Sequence, residues 1–412
     1  MSAPPGSDPS PDLAVDGDFV RETLAELVGI DSRNPTLVPG APGEGPIAAR
    51  VAEILESLGL VAEIVEPEPG RPSVIGRRAG AGGGRSLMLN GHLDTVGVDD
   101  MPDPFEPRIE DGRLYGRGAY DMKGAIVACL AAAKALGDAG VALAGDLLIA
   151  AVADEEVASL GTTAVIAHAR TDGAIVTEPT ELAVCLAHKG FAWIEIEVEG
   201  RAAHGSRPDL GVDANLAMGR VLAEVAELGR ELAGRAAHPR VGPPTLHVGT
   251  LSGGTGWSTY AARAVAGVER RTIPGETADG ALAEIEERLA RLRTGDSGRR
   301  ADGAGFRAAA RVALAREPFE ADAEGPLVRA LEQAAARALG GPAERIGVAY
   351  WMDAALLGAA GIETAVFGPA GGGAHEIEEW VDLASVERTA ETLARAAMAY
   401  CNAPPTRGRV GR

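Results

Sequence analysis

Apolar positions recur at helical spacing in two early stretches. The first is Phe19, Val20, Leu24, Leu27 and Val28, and the second is Ile47, Val51, Ile54, Leu55 and Leu58. Gly59 follows the second as a helix C-cap. Val61 to Val65, Ser73 to Gly76 and Leu87 to Asn90 then read as strands, the last a short apolar run of the kind buried on both faces of a sheet. A Gly- and Arg-rich loop over 112–118 leads through Asp121-Met122-Lys123-Gly124 into a helix over 125–136. Asp146 to Val152 is a further buried strand, followed by a helix over 161–169 and a short strand, Ala174 to Val176.

Near Ala187 the pattern changes. Phe191 to Val198 alternates, with Glu195 and Glu197 opposite Ile194, Ile196 and Val198, as in a half-exposed antiparallel strand. An amphipathic helix follows over 213–232, then strands over 245–251 and 262–271, a helix over 278–292 and a strand over 306–315. Around Glu317 the first pattern returns, with a helix over 326–339, a buried strand from Thr364 to Phe367 and a last helix over 385–400. The expected fold is therefore an α/β domain with a mixed sheet, 1–187 and 318–403, interrupted by an inserted two-layer α+β domain, 188–317. Residues 1–12 and 404–412 read as tails, and no internal repeat is present.

Composition narrows the function classes. Hydrophobic residues make up 46%, too many for a disordered chain, and no apolar run is long enough to span a bilayer. The net charge of −20 argues against nucleic acid or an anionic membrane as partner, and says little about a small substrate. Cys129, Cys185 and Cys401 are far apart in apolar contexts, as expected of small core residues in a reducing, cytoplasmic compartment. The N-terminal stretch has neither a basic start nor an apolar core, and so reads as a disordered tail rather than a signal peptide.

The candidate chemistry sits where apolar strands end. His92 and Asp94 follow the 87–90 strand and point to one side of the extended chain. They read either as a metal ligand with its orienting carboxylate or as a loop His beside a turn Asp, and the pair alone does not choose. Asp121 precedes a helix, where an N-cap is the simpler reading. Asp154, Glu155 and Glu156 are consecutive carboxylates that gain nothing from burial without a cation, or else form a solvated turn. Glu178 and His375 follow the other two buried strands. Strand C-termini of a parallel or mixed sheet share one edge, so these groups can converge. Two His and several carboxylates with no Cys form a nitrogen and oxygen donor set suited to two divalent ions bridged by a carboxylate, zinc first. Explaining every member away separately requires a coincidence of matching positions.

These residues lie in motifs: Gly-His-Leu-Asp-Thr-Val at 91–96, Gly-Arg-Gly-Ala-Tyr-Asp-Met-Lys-Gly at 116–124, Asp-Glu-Glu at 154–156, Glu-Pro-Thr at 178–180 and Gly-Ala-His at 373–375. Together they resemble the metallopeptidase and amidohydrolase family of acetylornithine deacetylase, succinyl-diaminopimelate desuccinylase, aminoacylase and carboxypeptidase G. The resemblance runs over nearly the whole chain except the tails. It implies a metal-dependent catalytic domain with an inserted lid and dimerisation domain. It implies two divalent ions, zinc with cobalt or manganese as alternatives. Asp121 would bridge them, His92 and Glu178 would complete one site, and Glu156 and His375 the other. Asp94 would orient His92, Glu155 would act as general base, and the Asp121–Met122 peptide would be cis. In the insert, His204 matches a residue that reaches a partner subunit's active site, and Arg271 matches an Arg that holds the substrate carboxylate. His168, His188, His238 and His247 match no metal position.

Two stretches depart from the family pattern. Where the family follows its lid turn with Asn and Pro, this chain has Trp257-Ser258-Thr259-Tyr260-Ala261, with Ser258 at the Asn position. Met352 replaces a usual Thr before Asp353, beside Tyr350 and Trp351. These aromatics read as pocket walls or as core. The expected function is amide hydrolysis of an N-acyl amino acid by a cytoplasmic homodimer. Carboxypeptidase or dipeptidase activity of the same family is the alternative, and a non-catalytic ligand-binding homologue a distant third.

Overall fold

The computed structural model describes residues 13–294 and 307–405. The expected tails at 1–12 and 406–412, and Phe306 at the start of an expected strand, lie outside the described residues. The described chain forms two compact units. The first runs to Leu186 and resumes over Ala321–Ile346 and from Met352; the second comprises Ala187–Glu320 and Gly347–Trp351.

The first unit opens with helices α1 (Gly17–Val28) and α2 (Gly45–Ser57) and strands β1 (Val61–Val65), β2 (Ser73–Arg78) and β3 (Leu87–His92). A small hairpin, β4 (Arg108–Glu110) and β5 (Arg113–Tyr115), precedes a π-helical turn, Ala119–Lys123. That turn runs into α3 (Gly124–Asp138), followed by β6 (Leu147–Val152), α4 (Leu160–His168), β7 (Gly173–Val176) and β8 (Val184–His188). The second unit holds β9 (Gly190–Glu199), α5 (Ala214–Ala233), β10 (Thr245–Gly253), β11 (Arg263–Thr272), α6 (Ala278–Thr294), β12 (Ala308–Arg316) and β13 (Phe319–Glu320). The chain then continues through α7 (Pro326–Leu339), β14 (Arg345–Val348), α8 (Ala354–Ala359), β15 (Glu363–Val366), β16 (Gly371–Gly372), β17 (Trp380–Asp382) and α9 (Leu383–Cys401).

Local chemistry starts and stops several of these elements. The Asp16 carboxylate accepts the Phe19 amide at 3.0 Å to begin α1, and Asp382 accepts the Ser385 amide at 2.7 Å to begin α9. Gly59, just past α2, takes φ +78°, the left-handed turn that a glycine makes at least cost.

The main sheet of the first unit runs β1-β2-β6-β3-β7-β15-β8. β3 lies parallel to both β6 and β7, and β15 parallel to β7, while β1, β2 and β8 pair antiparallel. In this register His92 faces Val152, and Asn90 and Val366 each face Val176. The C-terminal ends of β3, β6, β7 and β15 therefore share one edge. Helix α3, buried without a break from Gly124 to Ala133, packs against β3 and α9. Over that stretch it is apolar on all sides because no face of it meets water.

The second unit has its own core. Its antiparallel sheet runs β10-β11-β9-β12. Ala192, Ile194, Ile196 and Val198 of β9 and Ala264, Ala266 and Val268 of β11 pack with Val221, Val225 and Leu228 of α5 and Ile285 and Leu289 of α6. On the other face Glu195 pairs with Arg311 at 2.7 Å and Glu197 with Arg263 at 2.6 Å. Arg270 turns inward as strand alternation requires, fully buried between Glu276 at 2.9 Å and Glu284 at 3.2 Å.

The loop expected over 112–118 instead contains β5, which joins β4 and β17 in a separate sheet ordered β16-β17-β5-β4. A three-residue strand whose partner lies far along the chain carries no local period.

The alternation in β9 yields a stability prediction. Ile194→Ala should destabilise the second unit by about 2–5 kcal/mol, the cost of emptying a core site. Glu197→Ala, on the solvated face, should cost under ~1 kcal/mol. Urea unfolding at 25 °C compares them, and equal costs would contradict the register.

Candidate metal centre

The shared strand edge brings together the residues that follow it. His92 ends β3, Asp154 to Glu156 follow β6, Glu178 follows β7, and the segment after β15 carries His375. Two glycines make the last approach possible. A Cβ at Gly368 would lie 2.2 Å from the Glu178 carbonyl oxygen, and one at Gly373, where φ is +79°, would lie 1.8 Å from the Glu378 carbonyl oxygen. Asp121 lies within the segment Ala119–Lys123, where the chain kinks before α3. It has extended dihedrals, φ −115° and ψ 92°, and a cis peptide to Met122. It is not the cap of α3, which begins three residues later.

The two oxygens of Asp121 face two imidazoles. His92 Nε2 lies 3.0 Å from Asp121 Oδ1, and His375 Nε2 lies 3.3 Å from Asp121 Oδ2. His375 Nε2 is also 3.1 Å from Glu156 Oε1, and His92 Nε2 is 3.7 Å from Glu178 Oε1. Two clusters of prospective ligand atoms, each within 4.8 Å, share His92: one with Glu155 and Glu178, the other with Asp121 and Glu156. Ligand atoms about 2.1 Å from one tetrahedral ion stand roughly 3.4 Å apart, so the spacings here fit a metal ion with little rearrangement. Proximity alone does not separate Glu155 from the ligands; only the family resemblance gives it a different role.

Electrostatics points the same way. Burial, and then the charges of Glu178 and Asp353, push the Glu155 carboxyl well above the ordinary range. Burial does the same to Glu178, with Asp121 and Glu156 adding to the effect beyond what His92 offsets. Burial alone would depress the His92 imidazole, but hydrogen bonds to Asp121 and Asp94 hold it well above its usual value. Hydrogen bonds to Asp121 and Glu156 carry His375 up to about 10. Asp121, despite burial, is held below the usual carboxylate range by His375 and His92. Six carboxyls, Asp94, Asp121, Glu155, Glu156, Glu178 and Asp353, thus crowd around two imidazoles. Divalent cations suit that excess of acid, and the donor set of oxygens and imidazole nitrogens suits zinc.

Asp94 lies beside His92 and also holds the turn that carries Glu155 and Glu156. The 2.9 Å partner of His92 Nδ1 is the Asp94 backbone carbonyl, while the nearest carboxylate oxygen lies 3.6 Å away. The carboxylate also accepts the amides of Glu155 at 3.1 Å and Glu156 at 3.2 Å, and the Asn34 side chain at 2.8 Å. Asn34 also reaches Asp154 at 2.9 Å, and Arg71 joins Asp154 and Glu44 at 2.7 Å each. The turn carrying Glu155 and Glu156 is therefore held from behind by a buried polar network. Asn34, Arg71 and Glu44 escaped the sequence reading because each sits in a loop or at a helix start, where a polar residue is unremarked. Asp353, 1% exposed, also faces the cluster, and only its place beside the departing Met352 marked it.

The remaining named residues belong to the second unit, except His168 in the first. His204 is exposed, with Nδ1 2.8 Å from Ser206 Oγ. Arg271 is one-third exposed, with Nε 2.6 Å from Glu269 Oε1 and its guanidinium over the Phe191 ring. Trp257 is fully exposed and so is not core, whereas Tyr260 lies over Gly211. Trp351 donates its indole N–H to the Glu317 carbonyl at 3.1 Å. His188 is buried, His168 pairs with Glu63, His238 with Glu320 and His247 with Glu269.

Comparison with known proteins agrees with this geometry. The model of peptidase family M20/M25/M40 matches residues 88–399. An acetylornithine deacetylase of Myxococcus xanthus is 31% identical over 396 residues, covering 93% of this chain and 97% of that protein. Among solved structures, a tripeptidase of Staphylococcus aureus subsp. aureus mu50 superposes with a TM-score of 0.77 at 19% identity, covering 94% of this chain and all of the other. A Bacillus subtilis protein described as a dinuclear metal-binding peptidase of the M20 family gives 0.71 at 15% identity, covering 94% and 99%. At those identities the structures show a shared fold. The family model spans most of the chain and the curated relative nearly all of it, so this chain belongs to peptidase family M20/M25/M40 and is a metal-dependent hydrolase of amide bonds.

Proposed function

We propose that the chain hydrolyses the amide bond of an N-acyl amino acid with two divalent ions, zinc in the first instance. The observation that carries the reading is Asp121, whose two carboxylate oxygens face His92 at 3.0 Å and His375 at 3.3 Å. His92 and Glu178 would hold one ion and Glu156 and His375 the other, with Asp121 placed to serve both. When bound, such a pair supplies Lewis-acid polarisation of the substrate carbonyl and lowers the pKa of a water towards ~7.

Glu155 takes the proton of the attacking water and returns it to the departing amine. Its raised carboxyl, set by burial and by Glu178 and Asp353, brings its basicity closer to that of the water it must deprotonate. Asp94 fixes Glu155 through the backbone, since it accepts the Glu155 amide. Arg271 holds the substrate carboxylate, for which its forked donors are suited. His204 stabilises the oxyanion in a second copy's site. Dimerisation through the second unit is supported by β10, an edge strand with Val248 and Leu251 exposed, the sort of edge that pairs with another chain. A cytoplasmic location is supported by three buried free cysteines. Among the described residues no helix is long and apolar enough to cross a membrane. The near full-length relative named acetylornithine deacetylase favours an N-acyl amino acid over a dipeptide. Turnover of a panel of N-acetyl and N-succinyl amino acids, with dipeptides alongside, tests this. Cleavage of dipeptides alone would replace the deacylase by a dipeptidase.

Two further outcomes are expected. Glu155→Ala should retain about two zinc ions per chain, counted by atomic emission, while kcat falls roughly 10²–10⁴-fold; unchanged kcat would remove Glu155 from its role. His375 carries a proton at pH 7 because its value is raised to about 10, and a zinc-ligating imidazole must be neutral. Zinc binding should therefore release protons at pH 7 and tighten as pH rises. Calorimetry in two buffers of different ionisation enthalpy measures the release, and its absence would exclude His375 as a ligand.

A further inference from the structure

The segment Ala119–Lys123 is kinked, with non-helical dihedrals at Asp121 and Met122, so the amides of Tyr120 and Asp121 need acceptors from another part of the chain. Both are satisfied by one side chain. Glu379 Oε1 accepts the Tyr120 amide at 2.9 Å and the Asp121 amide at 2.9 Å. Its other oxygen accepts the Gly118 amide at 3.0 Å and Arg117 Nη1 at 2.7 Å. Glu379 is 2% exposed and so is Arg117. A carboxylate pinned by four donors at these distances has one orientation open to it, and charge-assisted bonds of this kind are among the stronger ones.

Glu379 stands four residues after His375. The segment between them is tied back as well: Arg117 Nη2 donates to the Glu376 carbonyl at 2.8 Å, and the Gly116 amide donates to the Glu379 carbonyl at 3.1 Å. Pairing of Tyr115 with Trp380 in the small sheet continues the join. Asp121 and His375 are far apart in sequence, yet the loops that carry them meet at this one carboxylate.

We propose that Glu379 is a positioning residue for the metal centre: by accepting the Tyr120 and Asp121 amides from the His375 loop, it sets the Asp121 carboxylate between the two imidazoles. It touches neither an ion nor substrate. The inference rests on the reading of Asp121 as the shared ligand, and it adds a residue that acts on that ligand through the backbone alone. Arg117 neutralises Glu379 and steadies it without bonding the Asp121 peptide.

The test is zinc titration by calorimetry of the metal-free protein, with thermal unfolding of the same samples, for wild type, Glu379→Ala, Glu379→Gln and Arg117→Met. Wild type should take up two zinc ions. Glu379→Ala should bind at least one of them 10–100-fold more weakly, the usual size of an effect transmitted through a ligand's support. Glu379→Gln keeps one oxygen and turns an –NH2 on two donors, so it should lose less than Ala. Arg117→Met leaves the three amide bonds and should bind zinc much as wild type does. If Glu379→Ala does not fold, the difference between Glu379→Gln and Arg117→Met decides. Wild-type zinc affinity in every folded Glu379 variant, with only the melting temperature lowered, would make Glu379 a structural residue and overturn the inference. Absence of zinc binding by wild type would instead sink the two-ion reading beneath it.

Discussion

Six carboxyls set around two imidazoles are an arrangement that a folded chain has every reason to avoid. Like charges out of water raise one another's protonation, and Glu155, Glu178 and Asp353 are all displaced in that direction. The surrounding first unit keeps them there. Asp121 is the pivot, since it is the acid whose two oxygens meet both imidazoles, and it comes from the irregular segment before α3 rather than from a main-sheet strand. A divalent cation resolves the imbalance, and the order of the sheet decides that the imbalance arises at one edge.

The acids are held mostly through the backbone. Asp94 accepts the amides of Glu155 and Glu156, and Glu379 accepts those of Tyr120 and Asp121. In both cases a buried carboxylate grips two consecutive N–H groups and leaves the working side chains free to point into the site. Each gripping carboxylate has a further donor, Asn34 for Asp94 and Arg117 for Glu379. A site built in this way can be stiff at the main chain while its ligating atoms keep their bonding capacity for an ion and a substrate.

The second unit has different physics. Its core of β-branched and small residues under two helices is complete in itself, and its buried cation, Arg270, is matched within the unit by Glu276 and Glu284. Arg271, one residue on, is left on the other face with a guanidinium partly open to solvent. Strand alternation thus buries one Arg of the pair and leaves the other on the opposite face, paired with Glu269.

Most of the long elements were legible in the chain because each reports its own burial. The apolar runs ending at His92, Val152, Val176 and Phe367 announced buried strands, the alternation over 191–198 announced a half-exposed one, and the polar residues after the runs announced the site. What stayed hidden depends on partners distant in sequence. The strands β5 and β17, three residues each, exist because they pair with one another across the fold. Asp94 read as a partner for His92, and nothing in its own segment showed that its carboxylate would also accept amides some sixty residues later. Glu379 stood in an acidic stretch, Glu376 to Glu379, indistinguishable from a solvated turn until four donors from 117–121 closed on it. Periodicity therefore sufficed for which segments are buried and which polar residues follow them, since both are properties of a segment. Which backbone each carboxylate grips was decided by tertiary structure, because a hydrogen bond between remote segments leaves no trace in either segment's own pattern.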